Sequence, residues 1–143
     1  ALIERSDFSL LRRSAWVEKP PPEAAAVDVW LGDSIGEMPT YYACADVALL
    51  GGSFAPLGGQ NLIEAAACAC PLVMGPHTFN FAEAATLSLA AGASQRVADM
   101  AEGVARAVSM LVHPAEREAC ARRAVAFAWL CGLEVRHFAQ VAA

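Results

Sequence analysis

The stretch VALLGGSFAPLGGQNLIEAAACACPLVMGP, residues 47–76, decides the fold. Its first apolar run, Val47 to Leu50, predicts a short buried strand that ends at Gly51-Gly52-Ser53. Gly58-Gly59 then opens onto Asn61-Leu62-Ile63-Glu64 and an alanine-rich helix. Pro71 stops that helix, and Leu72 to Met74 predicts a second strand at once. Strand, glycine loop, helix and strand within thirty residues match a βαβ unit. The loop is too rich in glycine to be only a connector. Glycines let backbone approach a ligand closely, and a helix N-terminus beyond them points N–H groups at it.

Working upstream, Val27 to Leu31 predicts a strand closed by Gly32-Asp33. Ser34-Ile35-Gly36-Glu37 has the spacing of a capping box, with Pro39 in the first turn of a helix running to about Ala45. Phe8 to Arg13 predicts another strand, and Ala1 to Ser6 the tail of a helix. Trp16 to Glu23 carries three consecutive prolines and is expected as an extended, exposed loop. Downstream, residues 75–80 form a loop, and Asn80-Phe81-Ala82-Glu83 reads as an N-cap for a helix to Ala91. Gln95 to Val97 predicts an edge strand. Asp99 caps a helix ending near Val112, Pro114 starts a long helix to about Leu130, and Gly132 precedes a last turn or two over Glu134 to Val141.

The alternation of strands and helices predicts α/β architecture with a mostly parallel, Rossmann-like sheet. At 143 residues the expectation is one domain with a real core. Apolar residues make up 57% and the net charge is −5, which argues against sequence-independent nucleic-acid binding. No apolar run reaches the ~18–20 residues of a membrane span. The five cysteines form no metal pattern, and they read as small buried hydrophobes in a reducing cytosol.

Three loops leave predicted strands and enter capped helices: Gly32 to Glu37, Gly51 to Glu64, and Gly75 to Glu83. In a parallel sheet all three lie at the carboxyl edge, where open α/β folds bind ligands. A phosphate-bearing guest suits the helix N-termini. Pattern alone leaves alternatives open: Glu37 and Glu64 complete capping boxes or bind a ligand, Gly58-Gly59 makes a turn or a cradle, and His77 is a loop histidine or a site residue. No GxGxxG or GxxxxGK[ST] occurs, which weakens dinucleotide and P-loop readings.

Four motifs in order carry a family resemblance: residues 31–38 (LGDSIGEM), Gly51-Gly52-Ser53, residues 58–64 (GGQNLIE) and residues 74–81 (MGPHTFNF). Together they resemble the carboxyl-terminal half of 3-deoxy-D-manno-octulosonic acid (Kdo) transferase over about residues 1 to 140. The resemblance implies half of a GT-B glycosyltransferase, the half that binds the donor nucleotide. The family moves Kdo from CMP-Kdo to a lipid A precursor in lipopolysaccharide synthesis, at the cytoplasmic face of the bacterial inner membrane. It implies that Gly36, Glu37 and Met38 line the CMP pocket together with Asn61, Leu62, Ile63 and Glu64. Glu64 would take the ribose hydroxyls. Gly58, Gly59, Gln60, His77, Thr78 and Asn80 follow as secondary candidates facing the cleft. No metal and no cofactor are implied, and no Asp-x-Asp metal pattern occurs.

The sequence also departs from the family. Gln60 and Leu62 stand where many members have His and Pro. Gln keeps a hydrogen-bonding group without a cationic form, and Leu62 restores a backbone N–H. The family's catalytic glutamate belongs to the amino-terminal half, so the resemblance implies a fragment that transfers no Kdo by itself and lacks the first strands of its sheet. The acceptor and the membrane would be met through the missing half, with this piece soluble. An uncovered edge around Phe8 to Arg13 is expected to favour a homodimer. The alternative reading is a non-catalytic Rossmann-type module for a small molecule or partner.

Overall fold

A computed structural model describes residues 3–16 and 19–132, the side chain of Glu4 excepted. The expected turns over Glu134 to Val141 lie outside the described residues, as does the start of the expected N-terminal helix tail. The chain gathers into two compact units, Ala1–Met38 and Pro39–Ala143.

The first unit is built on two three-residue strands, β1 (Leu10–Arg12) and β2 (Val29–Leu31), paired in parallel with Leu10 opposite Val29 and Arg12 opposite Leu31. So short a pair needs help at its ends, and a serine–aspartate staple sits at each. Before the strands, Asp28 Oδ2 accepts from the Ser9 backbone N–H at 2.9 Å and the Ser9 hydroxyl at 2.6 Å. Beyond them, Asp33 accepts from the Ser14 backbone N–H at 2.8 Å and the Ser14 hydroxyl at 2.7 Å. The expected helix tail near the start is a 3-10 turn, Ile3–Arg5. The triple proline does not stay extended throughout: Pro22–Ala26 close into a 3-10 turn, with Pro22 at a position where its missing N–H costs little.

The staples hold both aspartates below their ordinary value of 3.8, Asp28 chiefly through the Ser9 side chain and Asp33 chiefly through the Ser14 backbone N–H. A lowered folded value means stabilisation that is complete above the ordinary carboxylate value and lost as pH falls through the folded one. The amide resonances of residues 10–12 and 29–31 are therefore expected to lose their native positions below about pH 4, with the sheet of the second unit still intact. An amide-shift titration in acid reads this directly. Simultaneous loss in both units would contradict it.

In the second unit, β3 (Ala48–Leu50), β4 (Leu72–Met74) and β5 (Ser94–Arg96) form a parallel sheet in that order. Ahead of it stands α1 (Met38–Cys44), which starts on the last residue of the first unit. The connections carry α2 (Leu62–Ala67) and α3 (Ala82–Ala90), and the chain continues through α4 (Met100–Val112) and α5 (Pro114–Leu130). The central strand β4 is buried along its whole length, and its alternation divides the core. Leu72 and Met74 pack with Leu50, Leu62, Ala65, Ala66 and Phe127, while Val73 joins Val97, Met110 and Cys120. A strand covered on both faces explains the unbroken apolar run in the sequence. The architecture is α/β, with parallel strands flanked by helices.

Two helix starts differ from expectation. α1 begins at Met38 because the Ser34 hydroxyl donates to the Glu37 carboxylate, and Arg13 holds that carboxylate from 24 residues away. Asn80 does not cap α3: residues Phe79–Phe81 form a 3-10 turn, and the Asn80 side-chain amide instead donates to the Leu57 carbonyl at 3.1 Å. Asp99 does cap α4, accepting from Glu102 N–H at 2.9 Å, and Asn61 caps α2. Of the five cysteines expected as buried hydrophobes, Cys70 and Cys120 are buried, Cys68 and Cys131 are half-buried and Cys44 is exposed; burial pushes the Cys70 thiol up to about 12. Among the described residues no helix is long and apolar enough to cross a membrane, and no group of three His, Cys, Asp or Glu is placed to hold a metal ion.

Candidate functional site at the carboxyl edge

In a parallel sheet the loops that follow β3 and β4 leave from one edge. They are tied together there around Ser53, in the 3-10 turn Gly51–Ser53 that ends β3. The Ser53 hydroxyl donates to the Leu50 carbonyl at 2.5 Å and accepts the Gly75 N–H at 2.7 Å. The Ser53 carbonyl accepts the His77 N–H at 3.0 Å. Further along, Gly58 carbonyl accepts the Asn80 N–H at 3.2 Å, and Gly52 carbonyl accepts the Gly59 N–H at 3.1 Å. Most of these ties are backbone to backbone, so the edge has a fixed shape before any ligand arrives.

The glycine pair has a physical requirement. Gly58 and Gly59 sit at φ +87° and +81°, where an L side chain is strained. A Cβ on Gly58 would also lie 2.3 Å from the Asn80 amide nitrogen. Gln60 is exposed at the end of this loop, and its Oε1 accepts the Gly52 N–H at 3.1 Å. Its amide thus braces the loop from outside.

The next four candidates open α2. The Asn61 side-chain oxygen accepts the Ile63 N–H at 3.1 Å, and its amide nitrogen donates to Glu64 Oε1 at 3.0 Å. Asn61 therefore caps the helix and aims the Glu64 carboxylate, which remains partly exposed. The cap also occupies one of the N–H groups expected to face a ligand. Leu62 is fully buried, with its side chain packed in the core beside Leu50, Leu72 and Met74. On the neighbouring loop His77 is partly exposed, and the hydroxyl of buried Thr78 accepts from Arg96 Nη2 at 2.7 Å.

Gly36, Glu37 and Met38 belong to the first unit, in the loop beyond β2. Gly36 has φ +85°, and Met38 is exposed. Arg13 Nη2 donates to Glu37 Oε1 at 2.7 Å, and the Ser34 hydroxyl donates to Oε2. The first-unit candidates thus cluster on one loop, and those of the second unit cluster on two tied loops. Arg13, Ser53 and Arg96 hold these loops but were not among the candidate site residues, Ser53 having entered only within the Gly51-Gly52-Ser53 motif. Each stands at the end of a strand, and that position was the available signal.

These features define a parallel α/β domain whose glycine loops and capped helices are gathered at a sheet edge. The chain is a homologue of the 3-deoxy-D-manno-octulosonic acid transferases over most of its own length. It is 49% identical to that transferase from Bordetella pertussis over 127 residues, 89% of this chain and 29% of the relative. The Haemophilus influenzae transferase is 35% identical over 115 residues, 80% of this chain and 26% of that protein. The crystal structure of the C-terminal CMP-Kdo binding domain of WaaA from Acinetobacter baumannii matches with a TM-score of 0.79 at 28% identity, covering 88% of this chain and 64% of that one. No family model matches. The chain spans under a third of the length of these curated relatives.

Proposed function

We propose that residues 1–143 form the donor-binding domain for CMP-Kdo in a protein that transfers Kdo to a lipid A precursor. The observation that carries this reading is the likeness, over 88% of the chain, to a domain described as CMP-Kdo binding. In this reading Gly36, Glu37 and Met38 of the first unit and Asn61, Leu62, Ile63 and Glu64 of the second are the residues that meet the nucleotide. Glu64 takes the ribose hydroxyls with the carboxylate that Asn61 orients. Leu62 acts through its backbone, because its side chain is committed to the core. Gly58, Gly59, Gln60, His77, Thr78 and Asn80 shape the adjoining wall. The lipid acceptor, the base that deprotonates it and the contact with the cytoplasmic face of the inner membrane belong to the larger protein. This chain alone transfers no Kdo. Its short β1 edge pairs with a second copy.

The test is a CMP titration of the 143-residue chain followed by amide shifts, with UMP and NAD as controls. Shifts selective for CMP at 36–38 and 58–64 are expected, with dissociation on the order of millimolar for an isolated donor domain. Glu64→Gln is expected to weaken binding about tenfold or more, since a hydrogen bond to a charged group contributes about 1.5–3 kcal/mol. Equal response to all three ligands would leave only a general anion site, and no response to any would favour the non-catalytic module. Sedimentation of the same samples reports the mass, and a monomer at every concentration would remove the dimer.

A further inference from the structure

Arg13 is not among the residues proposed to meet the nucleotide, yet it is built into the same end of the first unit as Glu37. It follows β1 directly, in the turn Arg13–Ala15, and the loop bearing Gly36 and Glu37 follows β2. Two ties join these loops. The inner one is the staple of Ser14 to Asp33, with Arg12 Nη1 also 3.4 Å from Asp33 Oδ2. The outer one is Arg13 to Glu37, at 2.7 Å. With Ser34 on the other oxygen, both carboxylate oxygens of Glu37 are held.

The outer tie is itself anchored. The Arg13 guanidinium carbon lies 5.2 Å from the Trp16 ring centroid, and Trp16 meets Trp30 edge to face at 5.1 Å. Trp30 lies in β2, and its indole N–H donates to the Ala24 carbonyl at 2.8 Å. A continuous set of contacts thus runs from strand β2 through Trp30, Trp16 and Arg13 to Glu37. The loop it reaches contains Gly36, in the left-handed region, where glycine loses the most freedom on ordering. A loop with such a joint takes one shape only when something outside it fixes that shape. A partly exposed ion pair adds little to overall stability, the usual contribution being about 0–1 kcal/mol. Its effect is therefore local order in the loop rather than folding.

We propose that Arg13 is a positioning residue of the donor site: through Glu37 it holds loop 34–38 in the shape that takes the cytidine nucleotide. This inference rests on the donor-binding reading above. The planar guanidinium lies over Trp16 while it directs an N–H at the carboxylate, and lysine supplies charge and donors without that planar geometry.

The experiment compares the parent chain with Arg13→Ala and Arg13→Lys in urea unfolding and in CMP titrations followed by amide shifts. Arg13→Ala is expected to keep its urea midpoint while its CMP dissociation constant rises about tenfold, with Arg13→Lys between it and the parent. The Gly36 amide is expected to move in the unliganded variant, while the amides of 61–64 stay in place. A parent that binds CMP and an Arg13→Ala chain that binds it within about twofold would overturn the positioning role and leave the donor reading standing. A parent with no CMP response would remove the donor reading and this role with it. Should Arg13→Ala fail to fold, Arg13→Lys decides: parental affinity in that variant overturns the proposal, and weakened affinity with an intact fold supports it.

Discussion

A Leu62→Ala chain is expected to lose about 2–5 kcal/mol of unfolding free energy, the range for removing a fully buried leucine from a core. Leu62 is the first residue of α2 and has no exposure. It packs in the cluster that contains Leu50, Leu72, Met74 and Phe127. Its helical neighbours cannot refill the space: Ala65, Ala66 and Ala67 are already buried methyl groups without rotamers to swing. Against a typical domain stability of about 5–15 kcal/mol, the loss is a large share. Urea unfolding measures it, with Leu62→Met as the volume-conserving comparison, expected to cost under about 1.5 kcal/mol. An unchanged midpoint in Leu62→Ala would place the side chain outside the core. The same variant separates the two parts of a residue that the resemblance assigns to the nucleotide pocket. Where it stays folded, its backbone N–H is retained, and on the proposed donor-binding reading CMP affinity is expected to fall far less than stability.

Replacing Gly75 with alanine is expected to cost about 3 kcal/mol, at the upper end for forcing extra volume into a packed site. A Cβ there would lie 2.5 Å from the Ser53 carbonyl oxygen and 2.9 Å from Phe54 Cδ1. The first of these is backbone, and it is pinned: the Ser53 carbonyl accepts from His77, and the Ser53 hydroxyl accepts from Gly75 itself. Relief requires the loops after β3 and β4 to part. Gly51→Ala is the control, because nothing lies within 4 Å of the added Cβ. Its expected change is within about 0.5 kcal/mol. Thermal unfolding of the two variants gives the comparison, and equal midpoints would show that the loops separate without cost. In Gly75→Ala, the amide signals of His77 and Gly59 should move together, since both report on the Ser53 turn.

Much of the second unit was legible because its signals are local. Pro71 ends a run of alanines, and the strand expected at Leu72 to Met74 occupies those three residues. Asp99 and Asn61 cap helices at the positions their spacing gave. What misled were side chains whose strongest partners are distant in sequence. Ser34 and Glu37 have capping-box spacing, but Arg13 takes one carboxylate oxygen and Ser34 bonds the other, so the helix starts later. Asn80 has the chemistry of a cap, yet the Leu57 carbonyl lies within its reach and the 3-10 turn takes up the residues a cap would need. Leu62, which the resemblance places among the pocket candidates through its backbone N–H, turns its side chain to the core. Adjacent residues on a helix face different ways, and a motif read as a string does not register this.

The Ser53 turn has a consequence for how this domain tolerates change. Its ties run mainly between main-chain atoms, which every residue type carries alike. Gln60, His77 and Asn80 hang from that frame, and of these only the amides of Gln60 and Asn80 also brace it. A lineage can therefore exchange the side chain at position 77 while the frame that carries it is inherited unchanged. Position 60 has narrower freedom, because a replacement must still reach the Gly52 N–H, and position 75 has almost none. The rate at which each site is free to vary is written in which atoms do the holding.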